Sequence, residues 1–262
     1  MTDANQPQLA VRQFGDTAAN YLSSSVHARG ADLERLEQLA RRLLPARALD
    51  LGCGAGHSAF ALARGGAREV IAFDPSPPML EVVAGEARAR GLSAIQCRLG
   101  AAERLEFEDA SFDLVATRFS AHHWSSVPSA LREMARVLKP TGRLVVIDVM
   151  APEAALLDTA LQTLELLRDR SHVRNYRASE WQQMLASAGL GQIDSHGWKL
   201  PLEFDSWVRR IATSSRRIDA LRAVIEDLPS EVRGYFAVSA DGSFTIDAGW
   251  IEAVPVLGFK AE

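Results

Sequence analysis

Cysteine is scarce. Two cysteines in 262 residues, Cys53 inside a glycine-rich turn and Cys97 near a strand end, make neither a disulfide framework nor a metal-ligand spacing. Both read as small buried side chains. No run is long and uncharged enough to span a bilayer, and the start MTDANQPQLA has no basic segment followed by an apolar stretch, so the expectation is a cytoplasmic protein without a membrane partner. There is also no excess of positive charge. A net charge of −4 and a pI near 5.9 give no electrostatic footprint for nucleic acid. No HExxH or other metal cluster occurs, and the adjacent pair His122-His123 is a poor chelate because neighbouring side chains diverge; no metal is expected. Low-complexity tracts and internal repeats are absent as well.

What is present is alternation. The 47% hydrophobic content suits a folded α/β chain. Residues 1–30 are polar and mixed and predict a helical N-terminal cap carrying Tyr21 and His27. Across 31–150, helical and strand patterns alternate as in a parallel sheet covered on both faces. Asp32 is placed to cap a helix with Leu33, Leu36, Leu39, Ala40 and Leu43 on one side, ended by Pro45. Strands are predicted at 46–51, 69–73, 94–99, 112–117 and 143–149, with helices after the first glycine cluster, over 78–90 and over 127–138. Residues 151–262 add helices over 157–167 and 179–188, the latter closed by Gly189. Two β-type segments, 192–204 and 243–258, flank a helical insertion at 205–238. Its Arg209, Arg210, Arg216 and Arg217 read as a solvated face. The fold expectation is thus a Rossmann-like, mostly parallel α/β sheet with helices on both faces, a C-terminal antiparallel strand and a helical cap.

Chemistry is concentrated where the first strand ends. Asp50 precedes Leu51-Gly52-Cys53-Gly54-Ala55-Gly56 and a helix, so bare backbone and a helix N-terminus are offered to a ligand. The dinucleotide fingerprint G-x-G-x-x-G would place its third glycine at His57; the spacing is G-x-G-x-G, which points away from NAD and from an NAD-dependent oxidoreductase. At the next strand end, Asp74 lies roughly 20 residues past the first glycines, where an acid can accept both ribose hydroxyls. Asp74 can alternatively cap the helix that follows, although Ser76 is the better cap.

The runs LDLGCGAGHSAFAL, FDPSPPML, GAAERLEFEDASFDLV and REMARVLKPTGRLVVID resemble class I S-adenosylmethionine-dependent methyltransferases, particularly the group similar to ubiquinone/menaquinone C-methyltransferases. RFSAHHW, DRSHVRNY, EWQQML and LPLEFDSW extend the likeness over nearly the whole chain, to a bacterial branch of that group. The resemblance implies S-adenosylmethionine as cofactor. Asp50, Gly52, Gly54 and Gly56 match the motif holding its methionine portion. Asp74 matches the ribose-binding acid, and Met79 the side chain against the adenine. Ala101, Ala102 and Glu103 match the adenine-edge motif, with Ala101 replacing a frequent Asp; the amino contact then falls to Glu103, a backbone carbonyl or water. Thr117, Arg118 and His123 fall on the strand end facing the sulfonium, and 137–142 is a structural turn.

Methyl transfer from a sulfonium needs no protein nucleophile. An acceptor that carries a proton needs a base, and histidine suits neutral pH. His122 and His123 lie beyond the fourth strand where cofactor and acceptor meet, and either can instead pack against Trp124. His172 follows the long cap helix and is a third candidate, with Tyr176 beside it. His57 reads as a helix-start residue and His196 as structural. Tyr21, His27 and Tyr176 are assigned to the acceptor side. Phe119, Trp124, Tyr176, Trp181, Trp198 and Trp207 are candidates to line a pocket for a planar or aromatic acceptor, or to be core. The functional expectation is transfer of a methyl group to C, N or O of a small molecule by a monomer or homodimer. The competing reading is a protein of the same fold that binds the cofactor without methylating.

Overall fold

The computed structural model describes residues 6–15 and 30–259. Tyr21 and His27 lie outside the described residues. Helix α1 spans Gln6–Gly15 and α2 Ala31–Leu43; strand β1 is Arg47–Leu51, α3 His57–Arg64, β2 Glu69–Asp74, α4 Pro77–Ala89 and β3 Ile95–Leu99. After β4 (Phe112–Arg118) come α5 (Val127–Val137), β5 (Leu138–Ala151), α6 (Ala155–Arg168), β6 (Tyr176–Arg177) and α7 (Ala178–Ser187). Strand β7 (Leu190–Leu202), helices α8 (Phe204–Arg210), α9 (Ser215–Glu226) and α10 (Ser230–Tyr235), and strand β8 (Phe244–Pro255) complete the described chain.

The sheet runs in the order β3-β2-β1-β4-β5-β8-β7, with β6 paired to β5. β1 to β5 are parallel, and β8 runs antiparallel to both β5 and β7. The chain order reverses between β1 and β4, and in open α/β sheets such a reversal opens a crevice beyond the carboxyl ends of the strands. The central strands are apolar on both faces because helices cover both: Ala48, Leu49, Leu114, Val115, Val145 and Val146 are wholly buried. One cluster packs α2, α3 and α4 on the sheet through Leu36, Leu39, Phe60, Leu62 and Val83; the opposite one packs α5 and α7 through Leu131, Met134, Trp181 and Leu185. A third joins α6, α8, α9 and α10 around Trp207, Leu161, Leu221 and Phe236.

Several local expectations are corrected. Gly30, not Asp32, is the N-cap of α2; Asp32 is buried in the first turn, where its carboxylate accepts from Arg118 Nε at the end of β4. Leu43 is 38% exposed and so leaves the apolar face of that helix. Residues 139–142 do not separate helix from strand. β5 begins at Leu138, opposite Phe112, and its register with β4 shifts before Leu114 meets Arg143. Arg217 is not simply solvated, since it donates to the carbonyls of Leu166 and Leu167 at the end of α6, which supplies partners those terminal groups otherwise lack. Cys97 is half-buried rather than buried.

The turn from β1 into α3 is set by Gly56, which has φ +86° and whose added Cβ would lie 2.9 Å from Val83 Cγ2 and 3.0 Å from Phe60. A left-handed non-glycine residue costs about 1–2 kcal/mol, and forcing a methyl group into packed side chains costs about 1–3 kcal/mol more. Gly56→Ala is therefore expected to lower the free energy of unfolding in urea by about 2–5 kcal/mol; an unchanged midpoint and slope would mean that this turn is not tightly specified.

Candidate functional site

At the crevice lies a cavity of about 1030 Å³, counting its mouth, lined by the β1–α3 turn, the end of β2, the 100–103 loop and, from the end of β4 onward, residues 118–120 and 123–125. Val11 of α1 also reaches it, so the N-terminal helix lies at the mouth. Among the residues singled out from sequence, Gly52, Gly54, Asp74, Met79, Ala101, Ala102, Glu103, Arg118 and His123 all line this one space.

Asp74 organises one end of the cavity. Its Oδ2 accepts from Gly54 N at 2.9 Å and its Oδ1 from Ser76 N at 2.9 Å, so both oxygens are fixed by backbone while each keeps further acceptor capacity. Burial pushes its pKa up to about 6, although the two N–H donors pull the other way. Ser76 is the N-cap residue of α4 but makes no side-chain cap; its hydroxyl is buried without a partner and lines the cavity. Gly54 has φ +50°, and a Cβ there would meet nothing within 4 Å, so the space over this bare backbone is open.

Asp50 and Gly56 work from behind. Asp50 accepts from Ala59 N at 2.8 Å, tying α3 to β1; it is 1% exposed and does not reach the cavity. Burial raises its pKa to about 7, offset in part by the Ala59 bond. Thr117 is likewise buried, with an unpartnered hydroxyl, behind the lining. Glu103 accepts from both Ser125 N (2.8 Å) and Ser126 N (3.2 Å) through Oε1, which pins the 100–103 loop to the start of α5.

The other end of the cavity is built after β4. Phe119 adopts φ +48°, a strained conformation for a bulky residue, and its ring stacks 4.7 Å from the Arg118 guanidinium. The backward turn of the chain brings Ala121–His123 under Asp148 of β5. Asp148 accepts from Ala121 N at 3.0 Å and Val149 N at 2.8 Å, and pairs with His122 Nδ1 at 2.5 Å. Trp124 Nε1 donates to Ser120 Oγ at 3.1 Å, which fixes the indole at the wall.

The three candidate histidines thus separate. Only His123 lines the cavity. Although burial opposes the charged form, the Asp148 charge and hydrogen bond raise the pKa of His122. His123, buried and with the His122 ring centroid 4.2 Å away, is pushed down to about 4. His172 points elsewhere, donating Nε2–H to Gln162 Oε1 at 3.0 Å. Tyr176 packs edge-on to Trp181 at 5.8 Å on the α7 side of the sheet, away from the cavity. Trp181 and Trp207 are 1% exposed core, and Trp198 packs near Trp250 on the α2 face. Of the aromatics proposed for a pocket, Phe119 and Trp124 remain.

Sequence reasoning passed over Asp148, Asp169 and Ser171. Asp148 carried a signal, since an acid inside the apolar run LVVIDVM needs a buried partner. Asp169 and Ser171 look like an ordinary polar turn, and only the tertiary fold brings them to His123. Among the described residues no group of three or more His, Cys, Asp or Glu is arranged to hold a metal ion, and no helix is long and apolar enough to cross a membrane.

Comparison with known proteins agrees with this geometry. Residues 49–146 match the family model "Methyltransferase domain". The chain is 50% identical over 184 residues to the uncharacterized protein YafE of Escherichia coli, covering 70% of this chain and 89% of that one. It is 36% identical over 247 residues to the uncharacterized methyltransferase YcgJ of Bacillus subtilis, covering 94% and 97%; the crystal structure of YcgJ superposes with a TM-score of 0.82 over 86% of this chain and 98% of that one. Over 144 residues it is 38% identical to demethylmenaquinone methyltransferase of Thermus thermophilus, covering 53% and 65%. With the glycine turn, the Asp74 cradle and the sheet order in place, these likenesses establish that the chain belongs to the S-adenosylmethionine-dependent methyltransferases.

Proposed function

We propose that the protein transfers the methyl group to a small, planar acceptor carrying a removable proton, with His123 as the base. The observation that carries this reading is that one cavity joins the Asp74–Gly54 cradle to His123, Phe119 and Trp124. The likeness to demethylmenaquinone methyltransferase over about half of the chain supports a ring-bearing acceptor.

The residues at the two ends fit the cofactor. Asp74 would accept the ribose hydroxyls, Met79 would cover the adenine and Gly54 would let the methionine portion lie against bare backbone. Glu103, with Ala101 and Ala102, would border the adenine edge. When bound, S-adenosylmethionine supplies an electrophilic methyl group on a sulfonium. What the protein adds is positioning, dry walls and a proton sink; well-aligned pairs reach effective molarities on the order of 10⁵–10⁸ M. Phe119 and Trp124 offer flat faces to an acceptor ring. His123, held neutral at physiological pH by burial and by the neighbouring His122, can take the acceptor proton as the new bond forms. His122 and His172 lie behind this wall, with ring centroids 5.8 Å apart, so His123 is the sole base in this proposal. Helix α1, which reaches the cavity through Val11 and bonds through Gln13 to the Ile211 carbonyl at 2.6 Å, serves with α8 and α9 as the cap that excludes water.

Asp74→Ala is expected to weaken S-adenosylhomocysteine binding more than tenfold by calorimetry, since charge-assisted hydrogen bonds contribute about 1.5–3 kcal/mol and about 1.4 kcal/mol is tenfold. Unchanged affinity would remove Asp74 from the ribose. The wild-type affinity carries a pH signature. With a pKa raised to about 6, the Asp74 carboxylate is charged at pH 7.5 and protonates as pH falls through 6. Binding should therefore weaken from pH 7 to 5, whereas a flat profile contradicts a charged Asp74 as the ribose acceptor. For His123→Ala, loss of turnover with near-normal S-adenosylhomocysteine affinity is expected in an acceptor screen read by S-adenosylhomocysteine release; full turnover on an acceptor that the wild type methylates would exclude it as the base.

A further inference from the structure

The segment joining α6 to β6 presents a set of groups to His123 that decides which of its nitrogens carries the proton. His123 Nδ1 lies 3.1 Å from the Ser171 carbonyl oxygen and 3.4 Å from the Ser171 hydroxyl oxygen. A carbonyl only accepts. The Ser171 hydroxyl has one proton, and it is committed to Asp169 Oδ1 at 2.6 Å, an oxygen that also accepts from Ser171 N at 2.7 Å. The acceptor-only carbonyl at 3.1 Å is met by an N–H, so Nδ1 carries the proton. In the neutral ring Nε2 is then the deprotonated nitrogen. Nε2 lies 4.0 Å from Asp169 Oδ2, a buried oxygen without a hydrogen-bond partner.

We propose that Asp169 and Ser171 are positioning residues for methyl transfer: they lock His123 in the Nδ1–H form, aim Nε2 as the base, and place the Asp169 carboxylate where the imidazolium charge develops. This rests on His123 being the base. The acceptor atom forms its bond to the methyl carbon as the carbon–sulfur bond breaks, and that electron pair leaves with the now neutral thioether. The acceptor's proton passes to Nε2. One positive charge enters with the sulfonium and one leaves as imidazolium, beside a carboxylate already in place.

The groups facing His123 divide by sign. His122, from its own turn, and Arg168, on α6, oppose its protonation or balance Asp169; Asp148, on β5, and Asp169 favour it; Glu165, on α6, and His172 complete the surroundings. Helix α1 joins the arrangement, because Gln6 Nε2 also donates to the Ser171 carbonyl, and a carbonyl has two acceptor sites. Seating of α1 therefore holds in place the same oxygen that fixes the ring.

The test is two-bond ¹H–¹⁵N NMR of the imidazole rings in the full chain, ¹⁵N-labelled at histidine and saturated with S-adenosylhomocysteine, with His123 assigned by its loss in His123→Gln. The expected neutral signature at pH 7 is a protonated Nδ1 and a pyridine-like Nε2. The opposite tautomer, or an imidazolium at pH 7, overturns the proposal in wild-type protein with no variant needed. His122→Gln should raise the midpoint of His123 by removing a neighbouring positive charge. Adding Asp169→Asn to that background should lower it again, and adding Ser171→Ala should leave the carbonyl bond and the tautomer in place. An unmoved midpoint in the Asp169→Asn double variant, with S-adenosylhomocysteine affinity retained, overturns the role of Asp169. Calorimetric binding of S-adenosylhomocysteine without the expected tautomer would leave the methyltransferase reading standing and sink only this one.

Discussion

Close approach of backbone to a carboxylate governs this structure. Asp74, at the end of β2, is buried and yet holds the Gly54 and Ser76 N–H groups, so the β1–α3 turn and the start of α4 are clamped across the crevice. A buried carboxylate is tolerated only when hydrogen-bonded. Here its donors come from the two loops that must be brought together for a ligand to be gripped between adjacent strand ends. Gly54, at positive φ with open space above it, keeps that grip free of side chain. The parallel register of β1 with β2 and β4 sets the spacing of the parts. Helices α2, α3 and α4 supply the apolar cover that makes the strand ends rigid.

The other half of the cavity depends on a second buried carboxylate. Asp148 ends the apolar stretch of β5 and collects the Ala121 N–H and the His122 ring, so the turn after β4 cannot relax outward. Phe119 accepts a left-handed backbone within this turn, a local strain of the kind found where a side chain must be presented to a site. Burial, and then the neighbouring His122, push His123 down to about 4, so it meets the cavity as a neutral imidazole rather than as a cation. The Arg118–Asp32 ion pair, with both side chains buried, joins the end of β4 to the first turn of α2. The cofactor wall, the acceptor wall and the N-terminal helices are therefore linked through paired or hydrogen-bonded charges, each costly to leave alone.

Much of the architecture is legible in the sequence because its signals are local. Alternating apolar runs and helical periods define β1 to β5 and the helices between them, and Pro45, Gly65-Gly66 and Gly189 mark helix ends. The cofactor side is legible for the same reason, since glycines at fixed offsets and an acid at a strand end act through backbone geometry within a few residues. The acceptor side is not. His122 and His123 are adjacent candidates in the sequence with His172 a third, and only burial, the 2.5 Å bond to Asp148 and the orientation of Gln162 separate them. Tyr176 reads as a pocket residue beside His172 but lies on β6, whose pairing with β5 carries its ring to the α7 side. Asp32 has the residue type of a helix cap and is instead the partner of an arginine distant in sequence. Long-range pairings of this kind leave no periodic trace.

The central claim is that the crevice beyond the carboxyl ends of β1, β2 and β4 is an adenosyl site of the methyltransferase type rather than a dinucleotide site. Calorimetric titration of the full chain with S-adenosylhomocysteine, beside a parallel titration with NADH, tests it directly. The account predicts saturable binding of S-adenosylhomocysteine near one equivalent and no heat of binding from NADH. Saturable NADH binding, or silence from both ligands, would contradict it.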